Sequence, residues 1–176
     1  MNHIFLLSAV KAYASDKLNL VVRESSDLGQ YNTGEFDGVE IVLAKQLDWE
    51  TKLYVLLHCL GHTYQWNTDA DLRGVGLDRT PDASDPIVLR RIKVYEEDAS
   101  RHGLWVLRQI GVPAAEADQW VSDWFAADWR WLEHYYTTGE RLPYRDMFRS
   151  GSELIFPLAM GAFTPERFEM RQAFTD

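Results

Sequence analysis

Residues 48–66, DWETKLYVLLHCLGHTYQW, contain the pattern that decides the fold of this chain. Asp48 is a residue type that caps helix N-termini, and Glu50 places a negative charge in the first turn, where it suits the helix dipole. The pattern therefore predicts a helix over residues 49–66. Its apolar residues recur at helical spacing and form one stripe, which consists of Leu53, Leu56, Leu57, Leu60 and Tyr64.

The same helix carries two histidines, His58 and His62, four residues apart. At this spacing two side chains lie on one helix face, about 5–6 Å apart, and their imidazoles can share one metal ion. They fall nearly opposite the leucine stripe, so we expect the helix to pack on its apolar side and to hold the imidazoles toward another element. Two histidines on a solvated face are the alternative, because this spacing often occurs by chance.

A second long helix is predicted from Pro86 or Ile87 to no later than Gly111, since proline is tolerated in the first turn. On this helix Glu96 shares a face with apolar or small residues, which are Ile92, Ala99 and Gly103. A carboxylate that faces inward needs a partner or a metal ion. We therefore predict Glu96 as the third ligand. A buried salt bridge to an arginine of residues 67–91 is the alternative.

The neighbouring Glu97 is not expected to be a ligand. Lys93 lies four residues before it and Arg101 four residues after it. Charges of opposite sign at this spacing form ordinary ion pairs on a solvated helix face. The geometry of the helix therefore selects Glu96 over Glu97.

Two short segments near the N-terminus predict strands, at residues 18–23 and 38–44. A short helix is expected over residues 4–14, and the composition of residues 24–37, rich in Ser, Asp, Gly and Asn, favours a loop. These segments indicate a small N-terminal β-sheet packed on the histidine-bearing helix.

A third long helix is predicted from Pro113 to about Thr138, ended by Gly139. Residues that recur on it at helical spacing are expected to face the core: Trp120, Trp124, Ala127, Trp131 and Tyr135. Residues 67–86 are too irregular to assign, and residues 140–176, which contain three prolines as breakers, are expected to wrap the helices. The fold class is α+β and mostly helical.

Composition limits the classes of function. The 176 residues fit one domain, residues 1–176, which is long enough to bury a core. A net charge of −9 without a Lys/Arg-rich run disfavours direct nucleic-acid binding. The apolar run from Ile4 to Val10 is far shorter than the roughly 20 residues of a membrane span, and the single cysteine gives no sign of an oxidising compartment. We expect a cytoplasmic protein.

Three segments resemble the ImmA/IrrE-like metallopeptidases, a zincin-type family with a His-Glu-x-x-His helix and a glutamate ligand on a later helix. They are VEIVLAKQL at residues 39–47, LLHCLGH at residues 56–62 and YEEDASRHGLWVL at residues 95–107. The resemblance covers roughly residues 35–110. It implies a zincin-like core, a protein or peptide substrate, and zinc bound by three ligands, which are His58, His62 and Glu96.

Two positions depart from the family's pattern. Cys59 occupies the general-base position, where the family has glutamate, and a thiol of ordinary pKa about 8.5 on a shorter side chain is a poor proton shuttle. Ser100 occupies the position of an acidic residue that orients a histidine ligand. Both departures weaken the expectation of peptidase activity. Cys59 is equally well interpreted as a small core residue.

Three functions are therefore open. The first is a zinc metallopeptidase that cleaves a protein such as a regulator. The second is a non-catalytic pseudopeptidase that acts as a regulatory or protein-binding module and keeps the fold. The third is a helical domain without metal, in which the two histidines satisfy hydrogen bonds of the core.

Overall fold

A computed structural model of the chain describes residues 2–28, 33–78, 81–140, 142, 144–168 and 171–173. Over these ranges the chain forms five α-helices, which are α1 (His3–Leu18), α2 (Trp49–Thr68), α3 (Ala70–Leu77), α4 (Pro86–Gln109) and α5 (Ala114–Thr138). A short 3-10 helix follows at Tyr144–Met147. The strands of one sheet are β1 (Val21–Ser25), β2 (Gly34–Phe36), β3 (Glu40–Ala44) and β4 (Arg171–Ala173).

The sheet has the strand order β1-β3-β2-β4. Strand β1 runs parallel to β3, with Val22 opposite Ile41, whereas β2 is antiparallel to both of its neighbours. The two predicted strands correspond to β1 and β3, shifted by up to three residues. Strand β2 lies in the segment predicted as a loop, because three residues are too short to show an alternating pattern. The α+β, mostly helical fold class is confirmed.

Helix α2 is the centre of the core. Asp48 caps it by accepting a hydrogen bond from Thr51 N at 2.9 Å, as the sequence predicts. The helix packs against α1, α4 and the sheet, and nearly all of its residues from Lys52 to Trp66 are buried. The helices and strands packed around α2 therefore account for its burial. None of the described helices is both long and apolar enough to cross a membrane.

The segment left unassigned by the sequence, residues 67–86, contains α3. Asp69 begins this helix, and its carboxylate accepts hydrogen bonds from the backbone of Asp71 and Leu72. This helix has only eight residues, which are too few to give a clear periodic pattern in the sequence.

Residues 152–168 have no regular secondary structure and run along the helices, as predicted for the C-terminal segment. Leu158 N donates to Arg101 O of α4 at 3.1 Å, and Gly161 N donates to the Tyr64 hydroxyl of α2 at 3.0 Å. Backbone groups that lack a sheet or helix partner are thus bound by the helices on which they lie.

Candidate metal centre

Three side-chain donor atoms converge between α2 and α4. His58 Nε2 lies 2.9 Å from His62 Nε2, and Glu96 Oε2 lies 3.0 Å from His58 Nε2 and 3.1 Å from His62 Nε2. Ligands about 2.0–2.1 Å from a tetrahedral ion are separated from one another by about 3.3 Å. The triangle therefore matches one face of a tetrahedral site, contracted by a few tenths of an ångström. These three residues form a group that could hold a metal ion.

The remaining nitrogen of each imidazole has a hydrogen-bond partner. His62 Nδ1 lies 2.9 Å from Gln65 Oε1, and Gln65 Nε2 in turn donates to Tyr95 O at 2.9 Å. An amide oxygen only accepts, so it fixes the proton of His62 on Nδ1 and leaves the Nε2 lone pair directed at the centre. His58 Nδ1 lies 3.0 Å from Ser100 Oγ, which can play the same part for His58.

Aromatic rings hold the two imidazoles in place. The His62 ring lies between Phe36 of β2 and Tyr95 of α4, with ring centroids 5.5 Å and 4.4 Å away. The His58 ring stacks on Tyr54 at 5.7 Å. His58 is 2% exposed and His62 is 4% exposed. Both imidazoles therefore have a defined orientation before any ion binds.

Two glycines let α2 and α4 approach closely enough for this triangle to form. A Cβ at Gly61, which lies between the two histidines, would be 2.1 Å from Ala99 O of α4. A Cβ at Gly103 of α4 would be 2.7 Å from Leu57 O of α2. Side chains at either position would separate the helices and withdraw Glu96 from the imidazoles. The face of α4 that was predicted to point inward at Glu96 is the face on which α4 contacts α2.

Burial sets the ionisation of the three groups. It lowers the pKa of His58, and the neighbouring His62 lowers that pKa further, against the opposing effect of Glu96. Burial also opposes ionisation of Glu96, but its interactions with His62 and His58 outweigh this effect and hold the pKa of the carboxyl well below its ordinary value. A neutral imidazole and an ionised carboxylate are the protonation states in which these side chains bind metal ions.

Cys59 is fully buried in the hydrophobic core. Its Sγ lies 3.6 Å from the position that a Cβ at Gly34 of β2 would take, so it packs against the sheet. Burial, followed by the charges of Asp128 and Glu96, raises the pKa of the thiol far above its ordinary value. A thiol held in its protonated form does not accept a proton. These observations favour a small core residue over a general base at this position.

Ser100 does not leave its histidine without a partner, although it replaces an acidic residue in the resemblance. Its hydroxyl contacts His58 Nδ1 and lies 3.2 Å from the Tyr54 hydroxyl, both of them buried contacts. A hydroxyl can accept and donate, so it can orient a neutral imidazole without adding a charge. The second departure therefore affects the charge of the site more than its geometry.

Other charged or histidine side chains of α4 and α5 lie outside the triangle. Arg101, expected to pair with Glu97, forms its ion pair with Asp98 at 2.8 Å. His102, one turn after Asp98 on α4, directs Nδ1 to Leu158 O at 2.9 Å. His134 contacts Thr138 near the end of α5. A nearer charge thus provides the partner of Arg101, and the segment that wraps the helices provides that of His102.

One residue of the site was missed by the sequence reasoning. Asp128 of α5 is 1% exposed, and its Oδ2 lies 3.9 Å from His58 Nε2 and accepts a hydrogen bond from the Tyr54 hydroxyl at 3.3 Å. A signal was present, since Asp128 lies four residues after Trp124 and three before Trp131, on the predicted inward stripe. Like Glu96, this inward-facing carboxylate needs a partner or a metal ion.

No protein-family model matches this chain, and the searches of curated proteins and of solved structures find no match either. The fold and the site are therefore defined by the chain's own residues. They describe an α+β, mostly helical protein in which two buried histidines and one partly buried glutamate form a group that could hold a metal ion. Membership of the ImmA/IrrE-like family stays a prediction.

Proposed function

We propose that this chain is a zinc-binding protein of metallopeptidase-like design, in which His58, His62 and Glu96 bind one zinc ion. The observation that carries the proposal is the triangle of donor atoms, with sides of 2.9, 3.0 and 3.1 Å. The hydrogen bonds to Ser100 and Gln65 support it, because metal-binding histidines are held through their second nitrogen in this way.

The donor set favours zinc. Two imidazole nitrogens and one carboxylate oxygen are a known zinc ligand set, whereas calcium and magnesium prefer oxygen ligands alone. Imidazole also binds copper, iron and nickel. The near-equal sides of the triangle fit the tetrahedral arrangement of zinc, and a square-planar arrangement would require one pair of donor atoms to lie opposite each other.

We further propose that the metal serves a non-catalytic role, in a module that regulates or binds another protein. A general base must lie within reach of the proton that it takes, and its pKa must suit the task. Cys59 lies against the sheet, and burial raises the pKa of its thiol. In this role the bound metal orders α2 and α4, which form the centre of the fold.

Metal analysis tests the first proposal. Protein purified without added metal, and protein reconstituted with zinc after chelation, should each contain about one zinc per chain. His58→Ala should lose it, as measured by elemental analysis and calorimetric titration. His134→Ala is the matched control, because His134 contacts Thr138 and lies outside the triangle. Zinc retained at full stoichiometry in His58→Ala would contradict the ligand assignment.

A cleavage assay tests the non-catalytic role. Zinc-loaded wild-type protein and His58→Ala are incubated with an unfolded protein substrate such as casein, and products are followed by mass spectrometry. The two should give the same background. Cleavage by the wild type that needs zinc and disappears in His58→Ala would establish a peptidase and overturn the non-catalytic role, while leaving the zinc site intact.

A further inference from the structure

Asp128 is a buried carboxylate that accepts a hydrogen bond at only one of its two oxygens among the described residues. It is 1% exposed, and Oδ1 has no hydrogen-bond partner among the described residues. Its one ion-pair contact within the described part of the chain is with His58, at 3.9 Å, and the Tyr54 hydroxyl is its hydrogen-bond donor. Buried carboxylates are normally hydrogen-bonded, ion-paired or bound to a metal. Asp128 Oδ2 therefore lies beside the triangle of ligands, whereas Oδ1 has no hydrogen-bond partner among the described residues.

We propose that Asp128 is a fourth protein ligand, so that the metal site is closed by two histidines, one glutamate and one aspartate from α2, α4 and α5. This inference rests on the proposed function, since it requires a metal at the triangle. Two ligands of one ion lie about 3.3 Å apart in a tetrahedral site and up to about 4 Å apart when opposite each other. The separation of 3.9 Å between Asp128 Oδ2 and His58 Nε2 falls within this interval. Asp128 lies outside the group whose ligand atoms are all within 4.8 Å of one another, so its side chain must rotate toward the triangle to bind the ion.

The Tyr54 hydroxyl supports this position for the carboxylate. It donates to Asp128 Oδ2 at 3.3 Å and lies 3.2 Å from Ser100 Oγ, which contacts His58 Nδ1. One chain of buried contacts therefore connects Asp128 to the outer nitrogen of a ligand histidine. A ligating carboxylate is usually hydrogen-bonded in this manner, and the bond orients it.

Charge gives a second, independent argument. A zinc ion bound by two neutral imidazoles and Glu96 alone would leave a net charge of +1 in a site whose histidines are 2% and 4% exposed. Buried charge is costly unless it is paired. Coordination by ionised Asp128 makes the centre neutral. Four protein ligands without an open position are the arrangement of structural zinc sites, whereas catalytic sites keep one position open.

Cobalt substitution tests the coordination without any activity assay. Co²⁺ in place of zinc gives visible absorption bands that change when an added anion enters the coordination sphere. The wild-type Co²⁺ protein should show tetrahedral bands that do not respond to azide. Asp128→Asn should respond, because the lost ligand opens a position. Its Kd for zinc should rise by more than the roughly 100-fold that marks the loss of an outer hydrogen bond.

Asp123→Asn is the matched control, because Asp123 is also buried on α5 but bonds Gln119 and Ser152 N instead of the site. It should keep the wild-type Kd and spectrum. An azide response of the wild-type protein, which needs no variant to fold, would overturn the inference and return Asp128 to an uncoordinated carboxylate. An Asp128→Asn protein with the wild-type Kd would do the same. A wild-type protein that binds neither zinc nor cobalt would instead refute the proposed function itself.

Discussion

Gly61→Ala should destabilise the protein and weaken its metal site, although alanine is the better helix former. The added Cβ would lie 2.1 Å from Ala99 O and 2.6 Å from Ala99 C. Ordinary contacts between carbon atoms are about 3.5 Å, so α4 would have to move away by about 1 Å. Overpacking of this kind costs about 1–3 kcal/mol or more, against a gain in helix propensity of about 1 kcal/mol.

We therefore expect a net loss of up to about 2 kcal/mol in the free energy of unfolding, seen as a Tm lower by up to roughly 8 °C. Urea titration followed by circular dichroism measures it. Because Glu96 lies less than one helical turn from Ala99, the displacement also lengthens the contacts of 3.0 and 3.1 Å between Glu96 and the imidazoles. Calorimetric titration with zinc should show the weaker binding that follows.

Gly74→Ala is the matched control for this experiment. Gly74 lies within α3, and a Cβ there would meet nothing within 4 Å. The same substitution should therefore stabilise the protein, by roughly 0.5–1 kcal/mol. Stability changes of opposite sign at the two glycines would separate the steric effect of the added Cβ at Gly61 from the effect of helix propensity. A Gly61→Ala protein as stable as Gly74→Ala, with unchanged zinc affinity, would refute the argument that this glycine sets the distance between α2 and α4.

Three further predictions concern single side chains. Ser100→Ala removes the partner of His58 Nδ1, so the Kd for zinc should rise roughly 10- to 100-fold; an unchanged Kd in titration would exclude an orienting role. The pKa of Glu24 is lowered by hydrogen bonds from Lys11 and Lys52, so its ionised form stabilises the fold above pH 4.5 and this contribution is lost as the pH falls. Glu24→Gln should therefore lower the free energy of unfolding by about 1–3 kcal/mol at pH 7 and leave it unchanged in strong acid. A variant as stable as the wild type at pH 7 would contradict this role of Glu24. Cys59 is 0% exposed, so a thiol reagent should label it no faster than the chain unfolds; rapid labelling of the native protein would show that the thiol is not buried.

Helical periodicity carried most of what the sequence could predict. The shared face of the two histidines of α2 and the inward face of Glu96 could be predicted because a long helix repeats its faces many times. The face of each residue then follows from the pattern of its neighbours. Strand β2 and helix α3 were missed because three and eight residues give too few repeats. The partner of Arg101 was predicted from spacing alone, and the nearer Asp98 displaced it. Local pattern cannot rank two candidates that lie on the same turn.

The position of Asp128 depends on the packing of α5 against α4, which brings its side chain to Tyr54 of α2 and which no local pattern contains. Its inward direction could be inferred from Trp124 and Trp131, but the element that it faces could not. The Tyr54 hydroxyl reaches Asp128 Oδ2 at 3.3 Å across 74 residues of chain. Side chains so distant in sequence meet only through the tertiary arrangement. The sequence therefore predicts the candidate ligands on α2 and α4 but not the residue of α5 that lies beside them.

The two unusual features of the site, Cys59 and Asp128, have one explanation in electrostatics if the centre is closed as we propose. A divalent ion with Glu96 and Asp128 is neutral, and a third carboxylate at position 59 would give this buried centre a net charge of −1. The thiol of Cys59 stays protonated, since burial and the charges of Asp128 and Glu96 raise its pKa, and it therefore adds no charge. A carboxylate at position 128 and an uncharged residue at position 59 are thus mutually consistent, and each disfavours the open, base-assisted site of a working peptidase.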